Sequence, residues 1–71
     1  MNKRIELMII QRIMKTFDEV RHRNANGDNL TINFESLHSL ISEEYGINTK
    51  EAKKLVDRVI KGEQMEVIFP Q

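Results

Sequence analysis

Between Lys3 and Arg23 the chain carries no glycine or proline, and large apolar residues recur at Ile5, Ile9, Ile13, Phe17 and Val20. Steps of four and three place side chains on one face of an α-helix. A second rail, Ile10, Met14 and Phe17, runs beside the first. With Leu7, the two rails spread over an arc of roughly 200° at ~100° per residue. A helix lying on the surface of a small domain needs about half that width. The helix over 3–23 is therefore expected to be sandwiched by the rest of the fold, or to face its own core on one side and a partner on the other. Leu7, Met8, Ile10 and Met14 would form that second face, where the flexible thioethers of methionine suit an adaptable contact. A second copy of the chain or a host protein is the expected occupant, unless a loop or the C-terminal strand covers these residues.

The rest of the fold has little material to work with. The chain has 71 residues, so a single domain over 1–71 is expected, burying about 60% of the surface its unfolded form would expose. A Rossmann unit or a barrel does not fit in this length. There is no cysteine, which excludes disulfides and thiolate metal sites and makes the reducing cytoplasm the expected compartment. The longest run of apolar residues, Leu7 to Ile10, is four, against the roughly 20 that a membrane span needs. Glu6 comes two residues after the basic pair Lys3-Arg4, and no small-residue cleavage site appears, so no signal peptide is expected.

After Arg23, the polar stretch Asn24-Ala25-Asn26-Gly27-Asp28-Asn29 contains an Asn-Gly pair that favours positive φ, which predicts a loop over 24–29. Leu30-Thr31-Ile32-Asn33-Phe34 alternates apolar and polar, the pattern of a half-buried strand over 30–34. A helix over 36–45 follows, with Ser36 as its N-cap, apolar residues at Leu37, Leu40, Ile41 and Tyr45, and Gly46 as its stop. A third helix over 49–61 opens on Asn48, with Glu51 three residues on in capping-box spacing. Its inner face reads Ala52, Leu55, Val56, Val59 and Ile60, and Gly62 ends it. Met65-Glu66-Val67-Ile68-Phe69 predicts a second strand over 65–69, terminated by Pro70. The expected class is α+β and mostly helical, in the order helix, strand, helix, turn, helix, strand. The two strands are expected to pair as an antiparallel ribbon against the helices.

The segment from His38 to Asp57 carries the most information. Two short helices meet at Tyr45-Gly46-Ile47-Asn48, where Gly46 tolerates the positive φ of a tight corner. Apolar residues flank the corner (Ile41, Tyr45, Ile47, Leu55), and the small Ser42 and Ala52 stand where the helices come closest. On these residues the segment resembles the helix-turn-helix of DNA-binding proteins, and the order of elements resembles a winged helix. Too little chain follows Gly62 for the usual two-stranded wing, so the resemblance implies a truncated winged helix without wing contacts to the minor groove.

The neutral total, eleven Lys and Arg against eleven Asp and Glu, conceals a segregation of charge. Segment 48–61 sets Lys50, Lys53, Lys54, Arg58 and Lys61 against Glu51 and Asp57, a net +3, while segment 35–45 holds Glu35, Glu43 and Glu44, a net −3. The resemblance implies that the second helix of the motif enters the major groove of double-stranded DNA. Asn48, Thr49, Lys50, Lys53, Lys54 and Arg58 are then the expected DNA-binding residues. Asparagine can read adenine bidentately and lysine guanine, and the remaining amines would meet phosphates. The bland alternatives are a solvated lysine-rich face and a basic face for an acidic protein partner. A single monomer with so few cations binds DNA weakly at physiological salt, which is the reason to expect a homodimer.

No catalytic constellation emerges. Ser36, His38 and Ser39 bring hydroxyls near an imidazole, but neighbours on one helix lack triad geometry and nothing orients the histidine. His22 and His38 lack the spacing of a metal pair, and Asn26-Gly27-Asp28 lacks the closing glutamate of a calcium loop. No phosphate loop is present, and no cofactor is called for. Two functions are expected from different classes. The first is a helix-turn-helix transcriptional regulator acting as a homodimer. The second is a non-enzymatic protein-binding module, such as a phage or mobile-element inhibitor, gripping its partner through the apolar face of the first helix.

Overall fold

A computed structural model describes the backbone of residues 1–68 and the side chains of residues 1–62. Among the described residues three helices make up the fold: α1 (Lys3–Ala25), α2 (Phe34–Tyr45) and α3 (Thr49–Ile68). There is no strand among the described residues, so the expected α+β class and its antiparallel ribbon are overturned, and the truncated winged helix goes with them. The fold is all-α.

Both predicted strands fail for identifiable reasons. Over 65–68 the chain is still α3, and Phe69 lies outside the described residues. Gly62 was expected to end this helix, but only Gly27 and Gly46 have positive φ. Gly62 keeps an ordinary helical backbone at a cost of about 1 kcal/mol relative to alanine, and Glu63, Gln64, Met65 and Glu66 after it are strong helix formers. That removes the partner the first strand needed. An unpaired extended segment must satisfy its backbone elsewhere: Asp28 donates its N–H to the Arg23 carbonyl, and Leu30 is held by a side chain. Asn24 clamps Leu30 at both ends of its peptide unit, accepting from its N–H (2.8 Å) and donating to its carbonyl (3.0 Å). Asn33 then accepts from the Ser36 N–H (3.0 Å) and becomes the N-cap of α2. Ser36, the expected cap, lies inside the helix.

Most of the apolar positions converge as their spacing predicts, but Ile5 (41% exposed) on the first rail and Leu40 (45% exposed) on the second helix lie outside the core. Ile9, Ile13 and Phe17 of α1, Leu37 and Ile41 of α2, and Ala52, Leu55, Val56 and Val59 of α3 are buried together, with Ile10, Ile32, Tyr45, Ile47 and Ile60 packed at the edge. No polar residue is buried among the described residues. Helix α3 packs against both other helices. Between α1 and α2 the ties are an edge-to-face pair, Phe17 and Phe34, with centroids 6.4 Å apart, and an ion pair of Arg12 with Glu44 at 3.6 Å. Helix α1 is thus not sandwiched. Among the described residues nothing covers its other side, and Leu7, Met8 and Met14 are exposed. Among the described residues no helix is long and apolar enough to cross a membrane.

Candidate nucleic-acid interface

The corner between α2 and α3 is built from a few local bonds. Gly46 adopts the left-handed conformation (φ 66°, ψ 33°) and donates its N–H to the Ser42 carbonyl. That conformation costs a residue with a Cβ about 1–2 kcal/mol. Ile47 donates its N–H to the same carbonyl (3.2 Å), and the Ser42 hydroxyl donates to the Ile47 carbonyl in return. One small polar side chain therefore locks both sides of the turn, while Ile47 packs its apolar group on the core. The next residue, Asn48, starts α3 by accepting the Glu51 N–H at 2.8 Å. With a single residue between the αL glycine and the cap, the two helices have little freedom to reorient.

Helix α3 then presents its charges according to its period. At ~100° per residue, Lys50, Lys54 and Lys61 fall within about 40° of one another, opposite the buried Ala52, Val56 and Val59. Lys50, Lys53, Lys54, Asp57 and Lys61 are all exposed. Asp57 lies at the edge of this stripe, between it and Lys53. Lys54 approaches Glu51 at 4.0 Å on its own helix, and no ion pair joins Lys50, Lys53 or Lys61 to a carboxylate among the described residues. The result is a lysine face that contributes nothing to the core.

Two of the expected DNA-binding residues have other work. The carbonyl of the Asn48 side chain is held by the helix cap, whereas a bidentate reading of adenine needs both amide atoms. Arg58 turns away from the stripe and forms a charged hydrogen bond with Glu6 of α1. Glu6 and Arg58 lie far apart in sequence, so spacing offered no signal for this tie. Thr49 is exposed at the first turn of α3. Across the corner, α2 carries no cation, and its Glu35 and Glu43 are exposed.

The four residues expected on the partner face of α1 separate into two directions. Leu7 and Met14 are exposed and Ile10 is half-buried, and helical geometry sets the three within about 60° of one another. Met8 follows Leu7 and so points about 100° away, toward the side of Ile5. Sequence reasoning placed all four together because it counted apolar residues without separating directions. Of the two histidines, His38 has its Nε2 buried without a hydrogen-bond partner among the described residues. Among the described residues no three His, Asp or Glu side chains converge as metal ligands would.

No family model, curated protein or solved structure matches the chain.

Proposed function

We propose that α2, the Gly46 corner and α3 act as a helix-turn-helix that binds double-stranded DNA, without catalysis, in the service of transcriptional regulation in the cytoplasm. The observation that carries this reading is the union of the locked corner with an outward lysine face on the helix that follows it. Lys50, Lys53, Lys54 and Lys61 meet phosphates and base edges, and Thr49 lies at the leading end of the helix. Asn48 contributes by fixing where the helix begins, and Arg58 by holding α3 to α1. Affinity on this reading is modest and steeply dependent on salt. Each phosphate contact adds about 0.9 to the slope of log affinity against log salt.

The test is a titration of duplex DNA at several salt concentrations, comparing the wild type with Lys53→Glu/Lys54→Glu. Both side chains are exposed, so the helical circular dichroism should be unchanged. Wild-type binding that weakens with salt, and a variant that loses it, are expected. A wild type without salt-dependent affinity ends the proposal.

A second reading rests on α1. Leu7, Met8 and Met14 lie exposed outside the core, a surface that suits a protein-binding module gripping a host protein. The acidic α2 favours this reading, since Glu35 and Glu43 would repel a phosphate backbone laid along that helix. Glu35→Gln/Glu43→Gln tests where α2 lies relative to bound DNA. Tighter DNA binding supports DNA contact near α2, and no change places the acidic face away from the nucleic acid.

A further inference from the structure

The open side of α1 carries a charge pattern that selects its occupant. We propose that a second copy of the chain docks there, the two α1 helices running antiparallel about a two-fold axis that passes between Ile10 and Gln11. This inference uses α1 alone and does not depend on DNA binding.

Leu7 (58% exposed) and Met14 (43% exposed) form the centre of the stripe, with half-buried Ile10 beside them. On the same side of the helix the stripe runs on to Lys3 toward the N-terminus and to Asp18, with Arg21 one turn beyond it, toward the C-terminus; Lys3 and Asp18 are about 22 Å apart at 1.5 Å per residue. Both are exposed. Lys3 has no ion pair among the described residues, while Asp18 pairs with Arg21 on its own helix. An ionised carboxylate has about four acceptor sites, so it can take a lysine from another copy without releasing Arg21.

The signs of these end charges decide the geometry. In a parallel pair, Lys3 would face Lys3 and Asp18 would face Asp18. In the antiparallel pair, Leu7 meets Met14 of the second copy and Lys3 meets Asp18 of the second copy, and symmetry makes each contact twice. Sliding the helices by nearly a turn in one direction brings Lys3 against Arg21, and in the other direction toward Lys15. The attractive register is therefore the one that also stacks the exposed apolar residues. Met8 lies outside this contact. Three apolar side chains per copy fall well short of the ~800 Å² per partner typical of a stable interface, so the dimer is weak, with dissociation in the micromolar to millimolar range.

The chain contains no cysteine, which makes disulfide trapping clean. Leu7→Cys and Met14→Cys are prepared separately, then oxidised alone and as a mixture. The mixture should yield a disulfide-linked dimer and either variant alone should yield almost none. Like positions in the pair sit about 10 Å apart along the axis, beyond the ~7 Å Cα separation that a disulfide spans. Sedimentation equilibrium supplies the second measurement. Lys3→Asp and Asp18→Lys should each weaken self-association by about 2- to 10-fold, and the double variant, which rebuilds the pair with the charges exchanged, should restore it. A wild type that stays monomeric at millimolar concentration overturns the inference, and so does cross-linking of Leu7→Cys with itself or a double variant as weak as the singles. None of these substitutions lies on α3, so loss of the dimer and loss of DNA binding are read separately.

Discussion

The chain leaves α1 through Gly27 and α2 through Gly46, with φ of 105° and 66°. In each case it begins the next helix from an asparagine, Asn33 or Asn48, whose side-chain oxygen accepts the N–H three residues on. After Gly27 five residues, 28–32, intervene before the cap, and after Gly46 only Ile47 does. The short connection locks through Ser42 and Ile47, each bonding the other's backbone or side chain. The long one closes its glycine end with backbone bonds from Asp28 to Arg23 (3.0 Å) and from Gly27 to Asn24 (3.1 Å), the paired bonds of a Schellman motif. It then borrows the Asn24 side chain to hold Leu30 and buries part of Ile32. The same two punctuation residues thus serve a corner that sets a helix angle and a strap that only spans a gap.

The difference can be broken most severely by length. Two glycines inserted after Ile47 separate the Ser42 and Ile47 bonds from the Asn48 cap and should cost about 2 kcal/mol or more, as several hydrogen bonds worth about 1 kcal/mol each are lost. The same insertion after Asp28 adds only closure entropy, about 0.6 kcal/mol per doubling of length. Urea unfolding of the two insertions should separate them clearly. Equal costs would mean that the corner carries no special constraint.

Substituting the glycines tests the same contrast less violently. A Cβ built at either position meets nothing within 4 Å, so the penalty comes from backbone conformation alone. Gly46→Ala should cost about 1–2 kcal/mol. Gly27→Ala should cost less than that full penalty, because the longer strap can move its turn to another residue. A Gly27→Ala variant less stable than Gly46→Ala would show that the strap is the stiffer of the two.

Which parts of this molecule were legible in the sequence follows from how local their causes are. The corner was, because Ser42, Gly46, Asn48 and Glu51 act on one another within a few residues. The core was, because Ile9, Ile13, Phe17, Leu37, Ile41, Ala52, Leu55, Val56 and Val59 repeat at the helical period. The strands were misread because alternation at Leu30, Ile32 and Phe34 describes one face without saying whether a partner exists. Here Phe34 opens α2 and packs edge-to-face with Phe17, while the supposed partner is the end of α3. Gly62 does not stop α3, because the helix formers after it outweigh its modest cost. The lysine face of the candidate site was legible as periodicity. Withdrawal of Arg58 from it was not, since Glu6 comes from the other end of the chain.

The caps come next in size. Asn48→Ala and Asn33→Ala each remove one capping acceptor at an exposed helix start, a loss of about 1 kcal/mol. Their consequences should differ. Asn48→Ala frays the first turn of α3, where Thr49 and Lys50 lie, so DNA affinity should fall along with stability. Asn33→Ala frays the start of α2, remote from that turn, and should lower stability alone. A DNA titration beside each melting curve distinguishes them, and an equal loss of affinity in both would move the binding surface off α3.

The smallest expected effect lies in the strap. Asn24→Ala removes both hydrogen bonds to Leu30, yet these groups are exposed, so water replaces what is lost. Global stability should drop by about 0.5 kcal/mol, the lower end for a hydrogen bond. Local protection should respond far more: the Leu30 amide should exchange with solvent freely, while the buried helical amides near Ile41 and Val56 keep the rate set by global unfolding. If Leu30 remains protected, a backbone partner other than Asn24 holds the strap. If protection falls throughout α2 as well, the strap is coupled to the corner, and the two connections act as one cooperative unit.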